Sequence, residues 1–455
     1  MRRWAMVVAT PVLAGCASVG IDEALQQANT QARPFTAGQL ELGRTPDQRE
    51  RRSALTQTLL SRPLSQNDAV QVALANSPAV QALIAEHWAA IAAAEQSGRM
   101  PNPIFKFERL RIDSQLEIGR LLSFGLVDLI LLPRRLEIAR SRSSEARVQL
   151  SGAVVEQVTQ VRQAWVRAVA AQQALGYAEQ VRRSAQASAE LARRMQQAGN
   201  FSKLQRARQQ VFYADASTQL AAAMHAASAA REALVRALGL DDAQAARLAL
   251  PERLPDLPKA PRDPADVAAT ATAQRLDVQL ARARLEVAGQ SQGINLLSTF
   301  TEVQVGGRHD TVFDDAQGTQ STRRGWELDI RLPLFDWGTV QRDALNAQSL
   351  AAANRFDAVV RAASSQLRES YSGYRTAYDI AKHFRDEVVP LRQAMAEENL
   401  LRYNGMLIGV FELLADARDQ VAGVTGAIQA QQQFWLADAA LAASVIGQPT
   451  ASSSP

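Results

Sequence analysis

Two hydrophobic periods alternate along this chain, and the pair occurs twice in the same order. The first has period two. Phe105-Lys106-Phe107-Glu108 and Leu116 to Phe124 flank a turn near Asp113, predicting a strand pair. A second pair follows at Thr301-Glu302-Val303-Gln304-Val305 and Trp326 to Leu332, separated by a polar loop from Asp314 to Gln320 that contains Gly318. Trp326, Leu328, Ile330 and Leu332 share one face of the last strand, with Glu327, Asp329 and Arg331 on the other. Gly306-Gly307 reads as a strand bulge or turn.

The second period is helical and very long. From Pro133 to Gly199, and from Pro333 to Gly405, the pattern runs uninterrupted for about 65 residues, a rod of nearly 100 Å at 1.5 Å per residue. Val154, Val158, Val161, Trp165 and Ala168 form a three-four seam suited to coiled-coil packing, and Val360, Ser364, Leu367, Tyr371 and Tyr374 are its counterpart. The aromatic residues of these seams are read as core.

The repetition extends to residue identities. Gln160-Val161-Arg162-Gln163-Ala164-Trp165 reads again as Gln366-Leu367-Arg368-Glu369-Ser370-Tyr371, and Gly199 returns as Gly405. Leu204 to Gln210 returns as Leu414 to Gln420, shifted by about one helical turn. Returning helices are expected at 203–239 and 409–446, with the helices entering the strand pairs (78–98 and 276–292) stacked end to end with them. Leu64 and Ser65 open a helix that breaks at Asn76-Ser77-Pro78; Leu276 stands where Pro78 does, so a softer break is expected in the second copy. The domains expected are a signal peptide (1–15), a polar, proline-punctuated tether with little structure of its own (16–64), a first repeat (65–250), a proline-rich linker (251–265), a second repeat (266–447) and a disordered tail (448–455). The fold class is mainly α with a small β part.

Composition narrows the function. Of 455 residues 21% are charged, the formal net charge is only +4, and acids and bases alternate along helices, so no nucleic-acid surface is indicated. His87, His225, His309 and His383 are scattered, without metal-ligand spacing, so neither an enzyme nor a cofactor is expected. Arg2 and Arg3, the apolar run Trp4 to Leu13 and then Leu13-Ala14-Gly15-Cys16 resemble a bacterial lipoprotein signal with its lipobox. Cys16, the only cysteine, would then carry a covalent lipid, and Ala17-Ser18 after it favour the outer membrane. No later stretch holds eighteen consecutive apolar residues, so a membrane crossing would have to be made by strands.

Four amphipathic strands cannot seal themselves in hydrocarbon, because open edges leave backbone groups unpaired. Three copies would close a twelve-stranded barrel continuous with a helical tube. The Leu64-Ser65 start with Ala69, Ala73 and Pro78, the strand end Leu332-Pro333-Leu334-Phe335-Asp336-Trp337-Gly338, and Tyr403-Asn404-Gly405 followed by Glu412-Leu413-Leu414-Ala415-Asp416-Ala417 together resemble the outer-membrane factor (TolC-like) family. That resemblance implies a homotrimeric efflux channel in outer-membrane lipid, partnered by a periplasmic adaptor (membrane fusion protein) and an inner-membrane transporter. It maps the adaptor-docking tips to Gly199, Asn200, Phe201, Ser202 and Leu204, and to Gly405, Met406, Leu407, Ile408, Val410 and Phe411. It places a channel constriction at Glu412 and Asp416, whose spacing departs by one residue from the family's; a solvated helix face is the competing reading. Drug, metal-ion and protein cargo stay open. The alternative class is a lipid-anchored periplasmic coiled-coil scaffold or adaptor.

Overall fold

The computed structural model describes residues 20–36, 38–300, 303–331, 335 and 338–447; the predicted signal peptide, Cys16, Leu332, Pro333 and the tail 448–455 lie outside these residues. The chain is a bundle of long helices carrying one four-stranded sheet. In order it runs α1 (Ile21–Thr36), α2 (Pro46–Leu59), α3 (Gln66–Asn76), α4 (Pro78–Ser97), β1 (Ile104–Ile112), β2 (Gln115–Gly125), α5 (Leu126–Gln197) and α6 (Lys203–Leu238). It continues with α7 (Asp242–Arg247), α8 (Pro264–Gln274), α9 (Leu276–Phe300), β3 (Val303–Asp314), β4 (Thr319–Ile330), α10 (Thr339–His383), a π-helical turn (Phe384–Val388), α11 (Val389–Asn404) and α12 (Val410–Ile446).

The segment read as a tether is folded. Ile21, Ala24, Leu25 and Ala28 step along one face of α1 and are buried with Phe35 against α5. Arg162 of α5 donates to the Phe35 carbonyl (2.6 Å) and stacks on its ring at 4.6 Å. Burial there lowers the pKa of the Arg162 guanidinium. Pro46, taken as loop punctuation, is the first residue of α2, behind a capping box between Thr45 and Gln48.

The first seam is as expected: Val154, Val158, Val161, Trp165 and Ala168 are all buried, and the Trp165 indole donates to the Leu64 carbonyl at 2.8 Å. Its counterpart holds only in part. Tyr374 is buried with Leu367 and Tyr371 packed half-buried beside it, but Val360 and Ser364 are exposed, and Ala363, Tyr378 and Ala381 continue the buried register of α10. The tyrosines turn toward the proline-rich linker. Tyr371 donates to the Arg262 carbonyl (3.0 Å) and Tyr378 to that of Pro258 (3.2 Å), while Tyr374 accepts from the Arg262 amide (3.1 Å). Phe434 packs beneath Tyr374 and Tyr378, at ring separations of 5.6 and 5.8 Å.

The two rods differ from expectation and from each other. Pro133 does not open the first; it lies inside α5, which starts at Leu126 and runs 72 residues, about 108 Å. The second is interrupted by the π-helical turn just before Pro390 at the start of α11. Proline has no amide proton to continue the ladder, and widening the turn accommodates that loss. Gly426 of α12 makes room there, since a Cβ on it would sit 2.8 Å from the Phe384 ring.

The helix breaks are equally sharp in both copies. α3 breaks to α4 at Ser77, and α8 to α9 at Arg275, both with extended backbone. Arg275 does without a proline: its buried guanidinium donates to the Ala363 and Ser444 carbonyls at 3.1 Å each and pairs with Asp277 at 2.6 Å. Each break receives the left-handed glycine ending the returning helix, Gly239 (φ +66) at Ser77 and Gly447 (φ +95) at Arg275. A Cβ on Gly239 would lie 2.6 Å from the Ser77 Cα, and alanine pays for the left-handed backbone as well. Gly239→Ala is expected to destabilise the chain by more than about 2 kcal/mol, read as a lower midpoint of helical melting in detergent.

Candidate channel wall and hairpin tips

All four strands form one antiparallel sheet in the order β1-β2-β3-β4, so the two repeats meet at the β2–β3 seam. Gly306 and Gly307 belong to the regular ladder, paired with Ser123 and Leu122, and form neither bulge nor turn. A Cβ on Gly306 would meet Leu121 Cδ1 at 2.7 Å, so a larger residue there needs that leucine side chain to move. Asp113 (φ +50) and Gly318 (φ +61) close the two hairpins, at the turns expected.

Register fixes which residues share a face. On one face lie Phe105, Phe107, Leu122, Phe124, Val303, Val305, Trp326, Leu328 and Ile330; Trp326 is 77% exposed. The other face carries Lys106, Glu108, Glu117, Arg308, Asp310, Glu327 and Asp329, and is the sheltered side, where Leu121, Ser123, Asp310 and Val312 are buried. Charge is networked there. Arg308 reaches Asp310 (2.7 Å), Glu108 (3.4 Å) and Glu327 (3.7 Å), and Lys106 holds Glu108 at 2.8 Å. Gly119 of β2 stands between Glu108 and Asp310 in the pairing, leaving the row open for these contacts. The sequence reading found the alternation in β4 but missed Arg308, whose partners become visible only once register is known. The outer edges of β1 and β4 have no strand partner among the described residues.

At the opposite end of α5 and α6, the first tip is a Gly-capped turn. Gly199 (φ +81) is left-handed, the Asn200 amide donates to the Met195 carbonyl (2.9 Å), and Ser202 with Gln205 forms a capping box opening α6. Phe201 is buried, so the aromatic expected at this docking tip faces inward; Leu204 is exposed. Just before the turn, Arg193 and Arg194 both donate to Glu190, whose pKa is lowered to about 2.

The second tip uses the same hydrogen-bond pattern one residue along. Gly405 has an ordinary φ of −78, and it is Met406 (φ +58) that takes the left-handed place of Gly199, with the Leu407 amide bonded to the Arg402 carbonyl at 2.8 Å. Met406 is 94% exposed and Leu407 74%, whereas Ile408 is buried. Glu412 is exposed in the first turn of α12. The side chains of Val410, Phe411 and Asp416 lie outside the described residues.

No described helix is long and apolar enough to cross a membrane. No protein-family profile matches the sequence, and no curated protein does. Solved structures do match. A membrane protein from Pseudomonas aeruginosa superposes with a TM-score of 0.70 at 18% identity, covering 86% of this chain and 93% of that one. The outer membrane protein VceC from Vibrio cholerae gives 0.69 at 15% identity, over 84% and 96%. The open-state MtrE outer membrane channel of Neisseria gonorrhoeae gives 0.68 at 17%, over 87% and 89%. The chain therefore has the fold of outer-membrane channels, and the family resemblance read from its sequence extends to its architecture.

Proposed function

We propose that this chain is the outer-membrane component of a tripartite efflux system, a passive homotrimeric conduit joined through a periplasmic adaptor to an inner-membrane pump. The observation that carries the reading is the sheet. One face is apolar over the three rows nearest the helices, the other is sheltered along β2 and β3 and carries every carboxylate of the strands, and the outer edges of β1 and β4 have no strand partner among the described residues. Three copies would pair β4 of each with β1 of the next, giving twelve strands with apolar side chains toward lipid and carboxylates toward water. A lipid-anchored scaffold has no use for such a sheet. The purified chain is expected to be trimeric in mild detergent and to give stable conductance steps in planar bilayers. A monomer without conductance would sink the reading.

Two finer assignments accompany it. Cys16 is the lipid anchor: Cys16→Ser is expected to abolish incorporation of labelled palmitate, and persistent labelling would refute the assignment. Glu412 and Asp416, four apart at the start of α12, are the candidate constriction, where threefold symmetry would gather carboxylate rings. Replacing both with alanine is expected to raise single-channel conductance severalfold, and an unchanged value would return them to a solvated helix face.

A further inference from the structure

The lipid-facing side of the sheet carries a second zone that an apolar wall does not need. Reading across the registered strands from the helical end, three rows are apolar: Val303 with Ile330, then Phe124, Val305 and Leu328, then Phe105, Leu122 and Trp326. The next row holds Arg120, His309 and Arg324 beside Phe107, and the two beyond it add Arg109 and Arg111. Not one acid lies on this face. Glu108, Glu117, Asp310, Asp314, Glu327 and Asp329 all have the opposite parity. Arg109 and Arg324 are exposed and make no ion pair within the described residues; Arg111 reaches only Asp315 of the adjoining turn (3.0 Å), and Arg120 the Thr311 hydroxyl (3.4 Å).

We infer that Arg109, Arg120 and Arg324, with Arg111, form a belt that binds the phosphorylated headgroups of the lipid leaflet surrounding the hairpin-turn end of the sheet. The inference rests on the channel reading, which puts this face against lipid. The belt begins one row, about 7 Å, beyond Phe105 and Trp326, and aromatic side chains of this kind ring membrane barrels where acyl chains give way to headgroups. Arginine forks match phosphate oxygens, and the expulsion of every acid from this parity leaves the cations free to meet anions from outside the chain. A solvent-facing surface would instead show the mixed signs found along the helices, where Glu190 sits among Arg193 and Arg194.

The test uses full-length trimers exchanged into mild detergent and titrated with bis-phosphorylated lipid A or its dephosphorylated form, retained lipid being counted by native mass spectrometry. Wild type is expected to bind the phosphorylated lipid at least tenfold more tightly than the phosphate-free form. The Arg109→Gln/Arg324→Gln pair should lose that preference, while Arg323→Gln, one residue away on the other face, keeps it. Millimolar inorganic phosphate should not displace the lipid. Equal binding of both lipids by wild type, an unaltered double variant, or displacement by free phosphate would each overturn the belt. Trimer content and conductance are recorded on the same samples. If trimers conduct normally yet phosphate makes no difference, the belt alone falls; if no conducting trimer forms, the channel reading falls and takes the belt with it.

Discussion

Leu328→Arg is expected to prevent stable insertion of the trimer into bilayers. Leu328 lies in the middle of the three apolar rows, paired with Val305 and level with Phe124. An arginine on the lipid face of a transmembrane barrel costs about 2–4 kcal/mol near the midplane. Threefold symmetry repeats that cost, giving roughly 6–12 kcal/mol per assembly, comparable to the whole folding stability of an ordinary domain. Asp329→Asn, the next residue on the opposite face, should insert normally and shift ion selectivity toward anions, because on the channel reading it removes a lumen carboxylate without touching lipid. The two variants together separate wall from lumen. Equal insertion of both, measured as heat-modifiable trimer in liposomes, would show that this face does not meet hydrocarbon.

Leu407→Asp is expected to weaken adaptor capture by at least tenfold while leaving trimers and conductance intact. Met406 and Leu407, exposed side by side at the end of the rod, have no packing role in the chain that carries them, and on the channel reading they are the adaptor-docking patch. Met406 sharpens the argument. A non-glycine residue at φ +58 costs about 1–2 kcal/mol relative to glycine, and its side chain makes no compensating burial at 94% exposure. Met406→Gly should therefore stabilise the hairpin by about 1 kcal/mol and at the same time weaken adaptor binding. A variant that gains stability and keeps full affinity would separate the strain from docking. The measurement is adaptor binding to immobilised trimers, with thermal melting in parallel.

Much of the architecture was legible because local chemistry dictates it. Ser65 and Pro78 mark their helix starts through capping and the missing proline amide, Asp113 and Gly318 mark the turns, and alternation marks β4. What escaped notice was tertiary. The N-terminal segment read as tether because prolines and polar residues dominate it, although Ile21, Ala24, Leu25 and Ala28 already had helical spacing and Thr45 with Gln48 spelled a cap. The Arg275 break has no local signal, since the carbonyls holding it come from Ala363 and Ser444. Pro133 misled in the other direction, being absorbed within α5. β3 was read too short because its alternating positions, Arg308 and Asp310 among them, answer to partners on other strands and not to a solvent-and-core contrast. At the tips, glycine spacing located both turns, but it could not reveal that Phe201 and Ile408 point inward or that Met406 occupies the left-handed position.

The seam between β2 and β3 sets the order of events during folding. Arg120 and Thr311, which touch across it, are 191 residues apart in the chain, and the described residues between them are helix and linker apart from the end of β2 and the start of β3. Closing so long a loop is entropically costly unless α5, α6 and α9 have already packed and brought its ends together. Joining of the two local hairpins at this seam is therefore expected to follow packing of the helical body. On the channel reading, the outer edges of β1 and β4 would then be held side by side for pairing with other copies only after the rods that align them have packed.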